Sequence, residues 1–138
     1  MLLVLASLGL CSAGLNGRGL LTEAYAAYAR ENLSPEASPE LAAAAAEVTL
    51  RFKPGDAVYL ALLARAEQLR GRGAEAERHF RAALKQAPAN AYVWRDYALL
   101  RPVGGRYDAQ LAHAVERAQA LAPTSHGLHL SFGVVGLV

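Results

Sequence analysis

One short figure of side chains recurs along this chain at an interval that few folds accommodate. "YAAYA", "LALLA", "WRDYA" and "HLSFG" each place two large residues three positions apart, with a small residue directly after the second. The members are Tyr25, Tyr28 and Ala29, then Leu60, Leu63 and Ala64, then Trp94, Tyr97 and Ala98, then His129, Phe132 and Gly133. Successive occurrences stand 35, 34 and 35 residues apart, and Pro54, Pro88 and Pro123 keep the same step at 34 and 35. Periods of roughly 20 to 50 residues belong to repeat architectures in which each unit is one supersecondary motif stacked on the next.

Within a unit the figure fits a helix. Residues at i and i+3 share a helix face, so the large pair forms a stripe, and the small neighbour lets a second helix approach closely. That second helix follows in each unit: Ala76, Phe80, Ala83 and Leu84 recur at helical spacing, echoed by Leu111, Val115 and Ala118 and more faintly by Ala42, Ala46 and Leu50. Breakers separate the two, "RGRG" at 70–73 and "RPVGGR" at 101–106, where glycine ends a helix and Pro102 cannot continue one. Pro54, Pro88 and Pro123 close the second helix of each pair, and no stretch alternates long enough for a strand. The predicted fold class is all-α: antiparallel helix-turn-helix repeats stacked as a short α-solenoid, with an N-terminal apolar helix.

Two units carry the pattern best. Residues 57–90 hold Leu60, Leu63, Ala64, Gly71, Ala76, Phe80, Ala83 and Pro88, and residues 91–125 hold Trp94, Tyr97, Ala98, Gly105, Val115, Ala118 and Pro123. On these positions the chain resembles a tetratricopeptide repeat protein, a family of helix-turn-helix units about 34 residues long. It departs from that pattern at Glu67, where an aromatic is usual, and in one extra residue around Pro102 and Gly104. Residues 20–56 read as a degenerate first hairpin, and 126–138 as the first helix of an incomplete further unit. The resemblance implies a concave groove lined by the first helices of successive units, with Val58, Ala61, Arg65, Gln68, Leu69, Tyr92, Arg95 and Leu99 facing inward. It also implies a protein or peptide partner. Arg65 and Arg95 beside Tyr92 suit a carboxylate or an acidic segment, held by paired hydrogen bonds. The Lys and Asn set of the family's best-known carboxylate-binding grooves is missing here, and the alternative reading makes both arginines solvated helix-face residues.

Composition removes several other classes. The net charge of +2, from 12 Arg and 2 Lys against 12 acidic residues, is too weak and too dispersed for nucleic acid. Cys11 is the only cysteine, so neither an internal disulfide nor a cysteine metal cage can form. His126 and His129 share a helical face at a spacing two metal ligands can use, but no carboxylate or thiol is near them in sequence, so no metal is expected. His79 and His113 read as partly exposed residues of second helices. No Gly-x-Ser-x-Gly elbow and no Gly-x-x-x-x-Gly-Lys loop occurs. Glu75 and Glu77 beside Arg78 and Arg81 read as an ion-paired solvent face. The chain therefore reads as a non-enzyme with no cofactor and no small-molecule substrate.

The first fifteen residues, "MLLVLASLGLCSAGL", contain no charged side chain. As a helix they would extend about 22 Å, short of the roughly 30 Å hydrocarbon core, and no basic residue precedes them. Residues 1–19 are read as a membrane anchor or signal segment. The stretch resembles a lipoprotein signal around Cys11, although Leu10 is bulkier than that pattern wants. Two other readings stay open, a cleaved signal ending near Ala13 and a structural helix packed on the array. Short anchored arrays resemble accessory proteins of bacterial envelope assembly, such as polysaccharide synthesis and export or pilus systems. That sets the expectation of an inner membrane-anchored interaction scaffold, on the periplasmic rather than the cytoplasmic face. The rival expectation is a non-catalytic accessory subunit of a membrane enzyme complex, docked through its apolar termini.

Overall fold

The computed structural model describes residues 15–34, 36–100 and 109–124, and every regular element among them is helical. Six helices follow one another: α1 (Leu15–Glu31), α2 (Pro39–Phe52), α3 (Ala57–Leu69), α4 (Gly73–Gln86), α5 (Ala91–Leu100) and α6 (Ala109–Leu121). The 101–106 breaker, the 126–138 helix and residues 1–14 of the apolar segment lie outside the described residues. Leu15 to Gly19 open α1, so the tail of that segment is continuous with the first hairpin.

The helix boundaries have local causes. Asp56 caps α3 by accepting from the backbone N–H of Val58 at 2.9 Å and of Tyr59 at 3.3 Å. Asn90, 34 residues later, caps α5 in the same way, accepting from Tyr92 N–H at 3.1 Å and Val93 N–H at 3.3 Å. Such caps satisfy amide donors that the first helical turn leaves without partners. Pro39 sits in the first turn of α2, where a missing N–H costs nothing. At the end of α3, Gly71 takes φ +74°, its N–H bonds Gln68 O at 3.0 Å, and Arg72 N–H bonds Glu67 O at 2.9 Å. These two bonds form a Schellman motif, which requires a left-handed residue at that position.

Glu67 reinforces the same turn. Its side chain is buried, Oε1 accepts from Arg70 Nη1 at 2.8 Å, and Oε2 stands 3.7 Å from Arg72 Nη1. The position therefore holds a carboxylate that ties down the two arginines of "RGRG", where the repeat pattern would place an aromatic ring.

Each helix packs on the next in sequence, and α3 additionally touches both α1 and α5. Connections as short as the one between Leu69 and Gly73 turn consecutive packed helices back on each other. The outer helices bury single stripes, Ala76, Phe80, Ala83 and Leu84 on α4 and Leu111, Ala114 and Ala118 on α6. The central α3 is buried on two sides. Tyr59, Leu62, Leu63 and Ala66 join one core cluster with Ala26, Ala29 and the alanines of α2. Ala61 and Ala64 join the other, built on Phe80, Val93, Tyr97 and Leu111. Tyr97 meets Phe80 with ring centroids 6.1 Å apart and Trp94 edge-on at 6.5 Å. Ala64 and Ala98, the small members of the recurring figure, have no exposed surface at all.

Enlarging a small residue at such a crossing forces helices apart. Ala64→Leu and Ala98→Leu are each expected to lower unfolding free energy by about 1 to 3 kcal/mol. Phe80→Ala, which opens a cavity in the second cluster, should cost about 3 to 4 kcal/mol. Urea denaturation followed by circular dichroism checks all three, and wild-type midpoints would contradict the packing.

Candidate functional site

The helix α3 lies against both α1 and α5. Two adjoining hollows open there. The first, about 350 Å³, is lined by Leu33, Arg65, Gln68, Leu69, Arg95, Asp96 and Leu99. The second, about 290 Å³, is lined by Arg30, Val58, Ala61, Leu62, Arg65, Asn90, Tyr92, Val93, Arg95 and Asp96. All eight residues expected to face the groove, Val58, Ala61, Arg65, Gln68, Leu69, Tyr92, Arg95 and Leu99, line one hollow or both. Their accessibility differs: Tyr92 is 58% exposed and Val58 46%, whereas Ala61 is buried and forms floor. Gln68 reaches across the first hollow, its Nε2 donating to the Leu99 carbonyl at 3.4 Å.

Periodicity explains this convergence. Positions 58, 61 and 65 advance by three and four, and 68 and 69 lie three and four beyond 65, which keeps them on one side of α3. Positions 92, 95 and 99 do the same on α5. The neighbouring faces of α3 are occupied by the two core clusters, so this face is the one left to solvent.

Between the hollows lies a charged bridge that the sequence reading missed. Asp96 Oδ1 accepts from Arg95 Nε at 2.8 Å and from Arg95 Nη2 at 2.6 Å, and Oδ2 stands 3.9 Å from Arg65 Nη1. The Arg95 guanidinium also rests 5.3 Å from the centroid of the Tyr92 ring, within range of a cation–π contact. Arg65 and Arg95 are thus drawn together as expected, but around a carboxylate of the chain's own. Adjacent residues do not face each other on a helix surface, so "RD" carried no pairing signal. Arg30, in the last turn of α1, and Leu33, just beyond it, were missed as well, because they lie outside the two well-patterned units. Three arginines against one aspartate leave the groove lining with a positive excess.

Other ionisable groups serve packing. Tyr59 donates its hydroxyl to Glu23 Oε1 at 2.6 Å, linking α3 to α1. Burial, and then the Glu23 hydrogen bond, push its pKa up to about 12. His79 on α4 is held below its ordinary value by burial and by the neighbouring Arg78 charge. His113 on α6 is exposed and sets its ring edge-on to Trp94 at 5.5 Å. Glu77 pairs with Arg81 at 2.6 Å, and the same Glu77 oxygen accepts from the Tyr97 hydroxyl of α5 at 3.4 Å. Among the described residues no group of three His, Cys, Asp or Glu side chains is placed to hold a metal ion. No described helix is long and apolar enough to cross a membrane. His126 and His129 lie outside the described residues. Comparison with protein-family models and with curated proteins returns no match.

The Tyr59–Glu23 link gives an alkaline signature. A phenol whose folded pKa is raised from 10 to about 12 contributes stability that is fully present below pH 10 and is lost as pH rises through 12. Tyr59→Phe is expected to cost about 1.5 kcal/mol at neutral pH, by loss of a hydrogen bond to a charged acceptor. The variant's stability should also fall less than that of the wild type between pH 9.5 and 11.5, as read from urea midpoints across that range.

Proposed function

We propose that this chain is a helical-repeat interaction scaffold of tetratricopeptide type, stacked as a short α-solenoid, which holds an acidic segment of a partner protein in the α1–α3–α5 groove. The repeat reading is supported by features one period apart: the Asp56 and Asn90 caps and the fully buried Ala64 and Ala98. The observation that carries the functional reading is the coincidence of charge and apolar exposure in one concavity. Three of the six large apolar side chains exposed among the described residues, Val58, Leu69 and Tyr92, line it together with Arg30, Arg65 and Arg95. Guanidiniums bind carboxylates in paired geometry, and exposed apolar side chains at a concave surface mark interaction sites. The proposal extends to location: residues 1–19 attach the scaffold to a bacterial inner membrane, where it serves envelope assembly without catalysis.

Site-specific photo-crosslinking in cells tests the groove. A benzoyl-phenylalanine side chain at position 58 or 92 should capture a defined partner band. The same probe at position 47 on α2 or 78 on α4, both exposed and outside the groove, should not. Equal labelling at all four positions, or labelling only at 47 and 78, would remove the groove from the function. Deleting residues 1–14 is expected to move the protein from the membrane to the soluble fraction, and an unchanged distribution would remove the anchor.

A further inference from the structure

The groove sets apolar side chains in each hollow with a charged cluster shared between them, and that order specifies more than acidity. At one end, in the second hollow, Val58 and Tyr92 stand exposed over the floor made by Ala61, and at the other Leu33, Leu69 and Leu99 close the first hollow. Arg65, Arg95 and Asp96 belong to both hollows and separate them. We propose that the occupant is an extended segment in which one acidic side chain stands between two apolar ones. The acid sits against Arg65 and Arg95, and the apolar pair fills the hollows on either side. This rests on the groove reading above and names the sequence pattern of its partner.

The dimensions agree. Val58 and Leu69 are eleven residues apart on one helix, about 16 Å at 1.5 Å per residue, and Arg65 falls about 10 Å along that path. In an extended chain alternate side chains point to the same side at about 3.3 Å per residue, so positions i and i+4 are about 13 Å apart with i+2 between them. Five residues of pattern apolar-x-acid-x-apolar therefore match the groove from one hollow to the other.

Asp96 shows that the middle subsite accepts a carboxylate. Its Oδ1 already takes two hydrogen bonds from Arg95, while Oδ2 remains 3.9 Å from Arg65, beyond hydrogen-bond reach. Arg65 is 44% exposed at its side chain and free to turn toward an incoming acid. The resident carboxylate competes with the partner's for Arg95. Neutralising it should strengthen binding of an acidic ligand and leave a neutral one unaffected.

The test uses the full 138-residue chain and a fluorescein-labelled peptide of sequence Gly-Ser-Leu-Ser-Glu-Ser-Leu-Ser-Gly, read by fluorescence anisotropy. Replacing Glu by Gln is expected to weaken binding about tenfold, and replacing either Leu by Ala about fivefold. Asp96→Asn should tighten the Glu peptide about tenfold with little change for the Gln peptide, in protein whose thermal unfolding stays cooperative. Indifference to the leucines would reduce the groove to a charge contact and overturn the pattern. Indifference to Glu against Gln, or an Asp96→Asn protein that treats both peptides as the wild type does, would overturn the middle subsite. The peptide contrasts on the unaltered protein decide the pattern even if Asp96→Asn unfolds. If no peptide binds but probes at 58 and 92 still capture a partner, the pattern fails and the groove reading stands. If those probes capture nothing, both fall.

Discussion

The close approach of helices across alanine governs this molecule. Ala26, Ala29, Ala42, Ala46, Ala64, Ala66, Ala76, Ala83, Ala98, Ala114 and Ala118 have no accessible surface, and they come from every described helix. A methyl group contributes little apolar area by itself, so such positions act by shortening the distance between helix axes. At that distance the larger residues beside them, Leu62 and Leu63 in one cluster and Phe80 and Tyr97 in the other, pack together as buried cores. Small residues at the crossings and large ones beside them give each helix a defined seat on the next. Each described helix therefore packs on the next, and α3 reaches past its neighbours to α1 and α5 as well.

The position of α3 follows from this and creates the groove. Because α3 gives one face to each core cluster, its remaining surface is a narrow strip facing α1 and α5. Residues on that strip have no core to enter, yet they are flanked closely enough to form concave walls. Polar and apolar side chains can share the strip without cost to folding. The lining of the hollows is thereby largely separated from the core: Arg65 and Val58 belong to neither core cluster, whereas Ala61, which forms part of the floor, belongs to one.

Much of this was legible in the sequence because it depended on period alone. The 34-residue step located the crossings at Ala64 and Ala98, and with the family pattern it brought the eight groove positions together. What escaped depended on pairing. Asp96 lies beside Arg95 in the chain, where helical geometry gives no reason to expect contact, and only the curl of the long arginine side chain joins them. Arg30 and Leu33 escaped because α1 carries the pattern in fragments, so no register assigned them a side. Glu67 was legible as a departure and not as a function: its role depends on Arg70 and Arg72 folding back over a left-handed glycine, a feature of the turn.

Glu67 and Asp96 are two carboxylates in arginine company, and each holds one arginine closely and a second, more exposed one at nearly 4 Å. Glu67 is nearly inaccessible and stands at a hydrogen-bonded turn, where Arg70, close by at 2.8 Å, is itself largely covered. Breaking that contact would leave a buried charge without compensation, which is strongly disfavoured. Asp96 faces a hollow, holds one arginine closely and the other only at 3.9 Å, and that second arginine is half in solvent. The Asp96 side chain itself is only 13% exposed, so separating it from Arg95 is costly in the same way. The same pair of residue types thus fixes the α3–α4 turn in one place and lines the two hollows in the other, and the difference lies in where α3 and α5 carry them rather than in access to solvent.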